Sequence, residues 1–397
     1  VGYLLAKQWG PLEPAPPDAP RGALTGLVLG EEGPLAGAAV VVAERTGRPY
    51  AAYTDINGRY RIDGIPAGQY TPAAVAPGYG EQVNTNLFGM PHLATIRAGE
   101  LTEARPFHLR RLEPDPLPQP WPAAANLELW ATAVVTAPFP AGSTAQVQAF
   151  AFERDGLRID TLRLYTPVAR TADAPLPLLF MIYPSPVDLW QSVSTAYASQ
   201  GYALVAISPA SERGTDMVAH AADARVALAL ARSGVLDPNI DASTTVALGG
   251  SFSSAILHQL IRLTDGEIDA WVTVGGIANA FAGADDFYAG KLEIPPQYEY
   301  LIPALGMPNL YPLLFLRYSP VYTAAELPAT LIVHTAADRV IPIEQAYELE
   351  AALRGARVPV EVFYYEDVSH YLQIDDDLTE AGMEMFYRTL DFIQQVR

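Results

Sequence analysis

In the run Pro114-Asp115-Pro116-Leu117-Pro118-Gln119-Pro120-Trp121-Pro122, every second residue is proline. Each ring fixes its own φ and removes a backbone N–H, so the stretch can be neither helix nor central strand and acts as a semi-rigid spacer. A chain of 397 residues, half of them hydrophobic, that carries such a break is expected to fold as separate bodies on either side of it. A second cluster, Gly10 to Pro20, holds five prolines and reads as a stiff extended leader. The resulting plan is a leader over 1–21, a first domain over 22–112, a linker over 113–124 and a second domain over 125–397.

The two domains differ in period. From Gly22 to Arg111, short runs rich in Val, Tyr and Thr alternate with Gly, Pro and Asn: Leu24 to Leu29, Ala38 to Glu44, Tyr50 to Thr54, Tyr60 to Ile62 and Gln69 to Ala76. This spacing predicts a small all-β sandwich. Beyond the linker, Ala145 to Phe152 and Leu157 to Tyr165 read as antiparallel strands around Asp155-Gly156. Buried runs then follow at Leu178 to Tyr183, Ala203 to Ile207, Thr245 to Leu248, Ala270 to Val274, Thr330 to Val333 and Val360 to Tyr364. Helical segments such as Asp216 to Arg232 and Glu344 to Arg354 lie between several of them. Strands apolar on both faces with helical crossovers predict an α/β fold with a doubly wound, mostly parallel sheet, whose chemistry belongs at the carboxyl ends of the strands.

Composition narrows the function classes. A net charge of −19 with only 25 Lys and Arg, and no clustered basic stripe, disfavours nucleic acid as a partner. With no cysteine, disulfides, zinc–cysteine sites and thiol catalysis are excluded. No apolar run reaches the roughly 18 residues of a membrane span, and Val1 to Ala6 is too short for a signal h-region. A start at Val1 instead of Met fits removal of an upstream segment, by signal processing or otherwise.

Thr54-Asp55-Ile56-Asn57-Gly58-Arg59-Tyr60-Arg61-Ile62 followed by Ile65-Pro66-Ala67-Gly68-Gln69-Tyr70 resembles the carboxypeptidase regulatory-like (transthyretin-like) β-sandwich family. That resemblance implies a non-catalytic module outside the cytoplasm, hence a secreted or otherwise extracytoplasmic protein. Asp55 and Asn57 read as turn residues, since a calcium loop of the EF type needs further carboxylates and a late Glu that do not follow.

The feature that carries chemistry is Val246-Ala247-Leu248-Gly249-Gly250-Ser251-Phe252-Ser253-Ser254, an apolar strand that stops at small residues before a helix over Phe252 to Leu263. Such a turn lifts a serine hydroxyl above the sheet edge. A serine alcohol needs a base, and the base needs an orienting acid. Asp338 follows the strand ending at His334, and His370 follows the strand ending at Tyr365. The chain order Ser, Asp, His resembles that of the α/β-hydrolase superfamily, and within it the prolyl-oligopeptidase and dienelactone-hydrolase branch. The resemblance implies Ser251 as nucleophile, Asp338 as orienting acid and His370 as general base, with no metal or organic cofactor. His334 and Asp367 are the rival base and acid, while His92, His108 and His258 read as ordinary surface or core-edge histidines. Ser253 stands where the family has the last glycine of Gly-x-Ser-x-Gly.

Two oxyanion donors are expected. The Phe252 N–H, next after the nucleophile, is one. For the other, the usual His-Gly run is replaced by Tyr183-Pro184-Ser185-Pro186; the phenol of Tyr183 is preferred, and the Ser185 amide is the alternative. Residues 281–325 interrupt the strand–helix alternation with aromatics and prolines and read as a cap, with Tyr298 and Tyr311, together with Ser185, as substrate contacts.

The leading expectation is a serine esterase acting on a small-molecule carboxylic ester through an acyl-enzyme. One alternative is a serine peptidase of the prolyl-oligopeptidase type, although the short sandwich cannot supply that family's propeller of about forty residues per blade. The other is a non-catalytic protein that binds carbohydrate or a surface. Oligomeric state is not readable from the sequence.

Overall fold

The computed structural model describes residues 12–397 apart from 87, 171–173, 297, 367, 369, 371–372 and 375–376, with backbone alone at 373–374 and 377–378. The chain forms two compact units. One comprises the N-terminal part to Leu112 with Ile277–Glu326 and Asp338–Arg357; the other comprises Glu113–Gly276, Leu327–Ala337 and Val358–Arg397.

In the first unit, Arg21–Gly30 is the hub of a five-stranded sheet, paired antiparallel with Arg59–Pro66 and parallel with Leu101–Glu103 and Phe107–His108. Arg59–Pro66 shows why it lies at a core surface: Tyr60 and Ile62 are buried between exposed Arg59, Arg61 and Asp63, a period of two. A four-stranded sheet runs Pro49–Tyr53, Ala39–Ala43, Ala73–Val75, Gln82–Val83. Val40 and Val42 join Leu24, Val28, Ile62 and Phe107 in the sandwich core. Every residue of Ala39–Ala43 is buried, which requires a cover on its second face; the helix Pro312–Arg317 packs there. Thr71 N–H donates to Asn309 O at 2.9 Å, and Arg48 and Asp285 pair at 3.4 Å. The segment expected as a cap, 281–325, thus clusters with the sandwich. The Asp55 carboxylate accepts from the N–H groups of Asn57 and Arg59 at 2.8 and 2.9 Å and closes a turn completed by Gly58 at φ +72°.

The second unit is built on nine strands: β1 (Glu128–Thr136), β2 (Thr144–Arg154), β3 (Leu157–Pro167), β4 (Leu176–Ile182), β5 (Ala203–Ile207), β6 (Ile240–Gly250), β7 (Ala270–Val274), β8 (Ala329–Thr335) and β9 (Val360–Tyr365). Their order is β1-β2-β3-β5-β4-β6-β7-β8-β9. Strands β1 to β3 are antiparallel, as is the β3–β5 pair, and all pairs from β5 to β9 are parallel. The chain runs outward from β4 through α1 (Gln191–Ser199) to β5, then returns through α2 (Met217–Arg232) to β6 on the far side of β4. The order therefore reverses at β4, so the crevice at the carboxyl ends of β4 and β6 is where a ligand is expected in such a sheet. Among the described residues no helix is long and apolar enough to cross a membrane.

Both faces of this sheet are covered. On one, Leu179, Met181, Leu204, Val246 and Leu248 pack with Tyr197 of α1 and with Phe386, Leu390 and Ile393 of α8 (Glu380–Val396); the helices α4 (Ala280–Tyr288), α5 (Leu301–Ala304), α6 (Pro312–Arg317) and α7 (Glu344–Gly355) all belong to the unit that contains the sandwich. On the other lie α2 and α3 (Ser253–Thr264). Burying a Val or Leu here is worth about 1.5–3 kcal/mol. Helix α2 begins where Asp216 caps it, accepting from Val218 and Ala219 N–H at 3.1 Å.

Candidate active site

Strand β6 ends at Gly250 and α3 begins at Ser253, so the chain turns from strand to helix within Ser251 and Phe252. Ser251 has φ +49°, a conformation that side chains other than glycine rarely adopt. Close packing enforces it. A Cβ on Gly250 would stand 2.0 Å from Val274 O, and one on Gly249 would stand 2.5 Å from Leu257 Cδ1. The bend is pinned from β7, as Ser251 N–H lies 3.2 Å from Val274 O and 3.1 Å from Gly275 O. Ser253 reinforces the same bend. Its buried hydroxyl donates to Gly250 O at 2.9 Å and accepts from Gly250 N–H at 3.0 Å. Serine thus fits at the position where the usual motif has glycine, because its Oγ ties the helix start back to the strand end.

His370 meets this serine. Its Nε2 is 3.2 Å from Ser251 Oγ across 119 residues of sequence. The loop that carries it is tethered to β8: Thr335 Oγ1 donates to Val368 O at 2.6 Å, and Ala336 N–H donates to Tyr365 O at 2.7 Å. A neutral imidazole at this distance can take the hydroxyl proton of an attacking serine.

Asp338 is buried, at 4 % exposure, and its Oδ1 accepts from Val340 and Ile341 N–H at 2.8 Å each, which fixes the plane of the carboxylate. It falls in the compact unit that contains the sandwich, as do Tyr298 and Tyr311, which are 38 % and 54 % exposed. Asp367, the rival acid, lies outside the described residues. His334 is buried within β8. His258 is buried on α3, with Nδ1 accepting from Gln259 Nε2 at 3.4 Å, and so is neither a surface nor a core-edge residue.

Tyr183 requires a correction. The expectation that its phenol faces substrate gives way to a wholly buried ring whose hydroxyl bonds to Ser194 and whose N–H donates to Ile207 O at 3.0 Å. The cause is strand alternation: Leu179, Met181 and Tyr183 point to one face, so Tyr183 continues the core row beneath α1. Burial drives its pKa well above the ordinary phenol value. The Ser185 alternative sits differently. Trp190 Nε1 donates to Ser185 Oγ at 2.8 Å, and Ser208 Oγ donates to Ser185 O at 3.0 Å.

Sequence reasoning passed over the α2 side of the turn. Asp223, buried at 3 % exposure, takes Arg154 Nη1 and Arg213 Nε at 2.9 Å each. His220 donates its Nε2–H to Gly214 O at 3.0 Å, since a carbonyl oxygen can only accept. Its ring stands edge-on to Phe252 with centroids 6.2 Å apart. Burial lowers its pKa from the ordinary 6.5. Ile182, Ile207, Ser208, His220, Asp223 and Ile256 line a small cavity at these strand ends. The sequence signal for this cluster was His220 and Asp223, two ionisable residues in the buried N-terminal half of an Ala-rich helix.

Residues 23–95 match the carboxypeptidase regulatory-like domain family. No curated protein sequence matches the chain. Among solved structures it is similar to the Pyrococcus horikoshii acylaminoacyl peptidase, at 14 % identity and TM-score 0.50, over 90 % of this chain and 54 % of that one. It is also similar to a fungal esterase from Rhizomucor miehei, at 16 % identity and TM-score 0.54, over 65 % of this chain and 84 % of that one. The chain therefore spans about half the length of that peptidase. The likeness to these two structures is one of fold.

Proposed function

We propose that the protein is a serine hydrolase that cleaves carboxylic esters through an acyl-enzyme. The observation that carries this reading is the contact between a serine held at φ +49° on a strand-to-helix turn and the histidine 3.2 Å away. Ser251 Oγ attacks the ester carbonyl carbon while His370 Nε2 takes the hydroxyl proton. The carbonyl π pair moves to oxygen, and the oxyanion is met by the Phe252 N–H. Collapse of the tetrahedral centre breaks the bond to the alcohol, which leaves with the proton from His370. Water then attacks the acyl-serine by the same path, releasing the acid and restoring Ser251. Asp338 is proposed as the acid that fixes the imidazole tautomer; the chain order Ser, Asp, His and a buried carboxylate whose Oδ1 is held by the Val340 and Ile341 N–H groups support the role.

The test is turnover of p-nitrophenyl esters of increasing acyl length beside peptide p-nitroanilides. Esters are expected to turn over and anilides not; the opposite ranking would favour a peptidase, the activity in the name of the Pyrococcus horikoshii neighbour. Ser251→Ala should lower kcat by at least about 10⁴-fold while unfolding at the same temperature. Unchanged turnover would remove Ser251 from the chemistry.

A further inference from the structure

Between Tyr183 and Val187 only Ser185 carries a main-chain N–H, since residues 184 and 186 are prolines. Its other polar atoms are held from two separate elements. Trp190, at the start of α1, donates its indole N–H to Ser185 Oγ at 2.8 Å, and Ser208, just beyond β5, donates its hydroxyl to Ser185 O at 3.0 Å. Both holders are themselves fixed. The Trp190 ring stacks on Tyr183 with centroids 5.9 Å apart and planes 13° from parallel. Ser208 is 3 % exposed, and its carbonyl accepts from Thr161 Oγ1 at 2.8 Å. Among the described residues no hydrogen bond engages the Ser185 N–H.

The loop also lies next to the nucleophile turn. Strands β4 and β6 run parallel with Met181 opposite Leu248, and a Cβ on Gly249 would stand 3.4 Å from Ile182 O. The residues that follow β4 therefore leave the sheet beside those that follow β6. A turn bounded by two prolines is already restricted in φ, so two donors from separate elements on its single serine serve to aim that residue.

We infer that Trp190 and Ser208 are positioning residues that aim the Ser185 amide as the second oxyanion donor. The assignment rests on the serine-hydrolase reading above. Negative charge reaches the carbonyl oxygen only in the tetrahedral transition state, so a misaimed donor costs kcat and leaves KM nearly alone. Trp190→Phe keeps the stacked ring and removes the N–H. Together with Ser208→Ala, it should lower kcat for p-nitrophenyl acetate about 10-fold per substitution, with KM within about twofold, a part of the 10²–10³ that a whole donor is worth.

Two further readouts separate aiming from mere packing. Affinity for a trifluoromethyl ketone, which forms a tetrahedral adduct, should fall by the same factor as kcat/KM. Ser185→Ala, which removes the acceptor of Trp190 and keeps the amide, should match Trp190→Phe, and the double variant should lose no more than either alone. Unchanged kcat in both Trp190→Phe and Ser208→Ala overturns the inference, as does a fall in kcat with ketone affinity intact or additive losses in the double variant. Those results would leave the nucleophile assignment standing if Ser251→Ala is still inactive. Absence of both ester turnover and fluorophosphonate labelling of Ser251 in the unaltered protein would instead overturn the serine-hydrolase reading, and this inference with it.

Discussion

Two neighbouring strand ends, those of β6 and β4, meet opposite demands. After β6 the backbone itself is constrained: Gly249 and Gly250 leave no room for a Cβ, and Ser251 is forced to φ +49°. After β4 the backbone accommodates prolines, and what matters is which way side chains turn. Tyr183 goes down into the core, while Trp190 and Ser208 reach toward Ser185. The crowding leaves its mark in residue type, since only glycine lacks the Cβ for which positions 249 and 250 have no room. Side-chain direction leaves none, because a tyrosine at a strand end has the same letter whether its hydroxyl faces a ligand or Ser194.

The contrast can be broken most sharply at Gly250. Alanine there would set a Cβ 2.0 Å from the Val274 carbonyl, so β6 and β7 must part. Gly250→Ala should cost about 3 kcal/mol in urea unfolding, with ester turnover lost in proportion to the misplaced turn. Wild-type stability would mean that the bend is not enforced by packing. A smaller effect is expected at Tyr183. Tyr183→Phe removes one of the two phenols, with that of Tyr165, that meet the buried Ser194 hydroxyl and should cost about 1 kcal/mol, with kcat within about threefold. A fall of 10²–10³ in kcat with unchanged stability would return the phenol to the oxyanion site.

The smallest effect concerns His220, which lies behind the β6 turn. Its folded-state pKa is lowered from 6.5 by burial, so the unfolded chain takes up a proton first as the pH falls. Stability that is fully present above 6.5 is therefore lost as the pH drops toward the folded-state pKa. His220→Gln should shrink the difference between urea midpoints at about pH 7 and about pH 5. An unchanged difference would show that other groups carry the acid sensitivity.

Much of the fold was legible for the same reason as the β6 turn. Strands β5 and β7 coincide with the apolar runs Ala203 to Ile207 and Ala270 to Val274, because a strand buried on both faces must be apolar throughout. Strand β1 escaped notice: Glu128–Thr136 is exposed along nearly all its length and held by its ladder to β2, so neither burial nor alternation marks it. Within the site, Ser251 and His370 could be proposed from chain order, and their approach to 3.2 Å required the fold. The holders of Ser185 could not be read, because Trp190 and Ser208 acquire meaning only through the layers that bring α1 and β5 to the same loop.

The positive φ of Ser251 ties durability to activity in an unwelcome way. Glycine would occupy this bend without strain, and it has no hydroxyl. Selection for robustness alone would favour the inert residue, so a serine at this strained φ is accounted for by the proposed chemistry and not by stability. The same reasoning tells a protein engineer where not to look for extra stability.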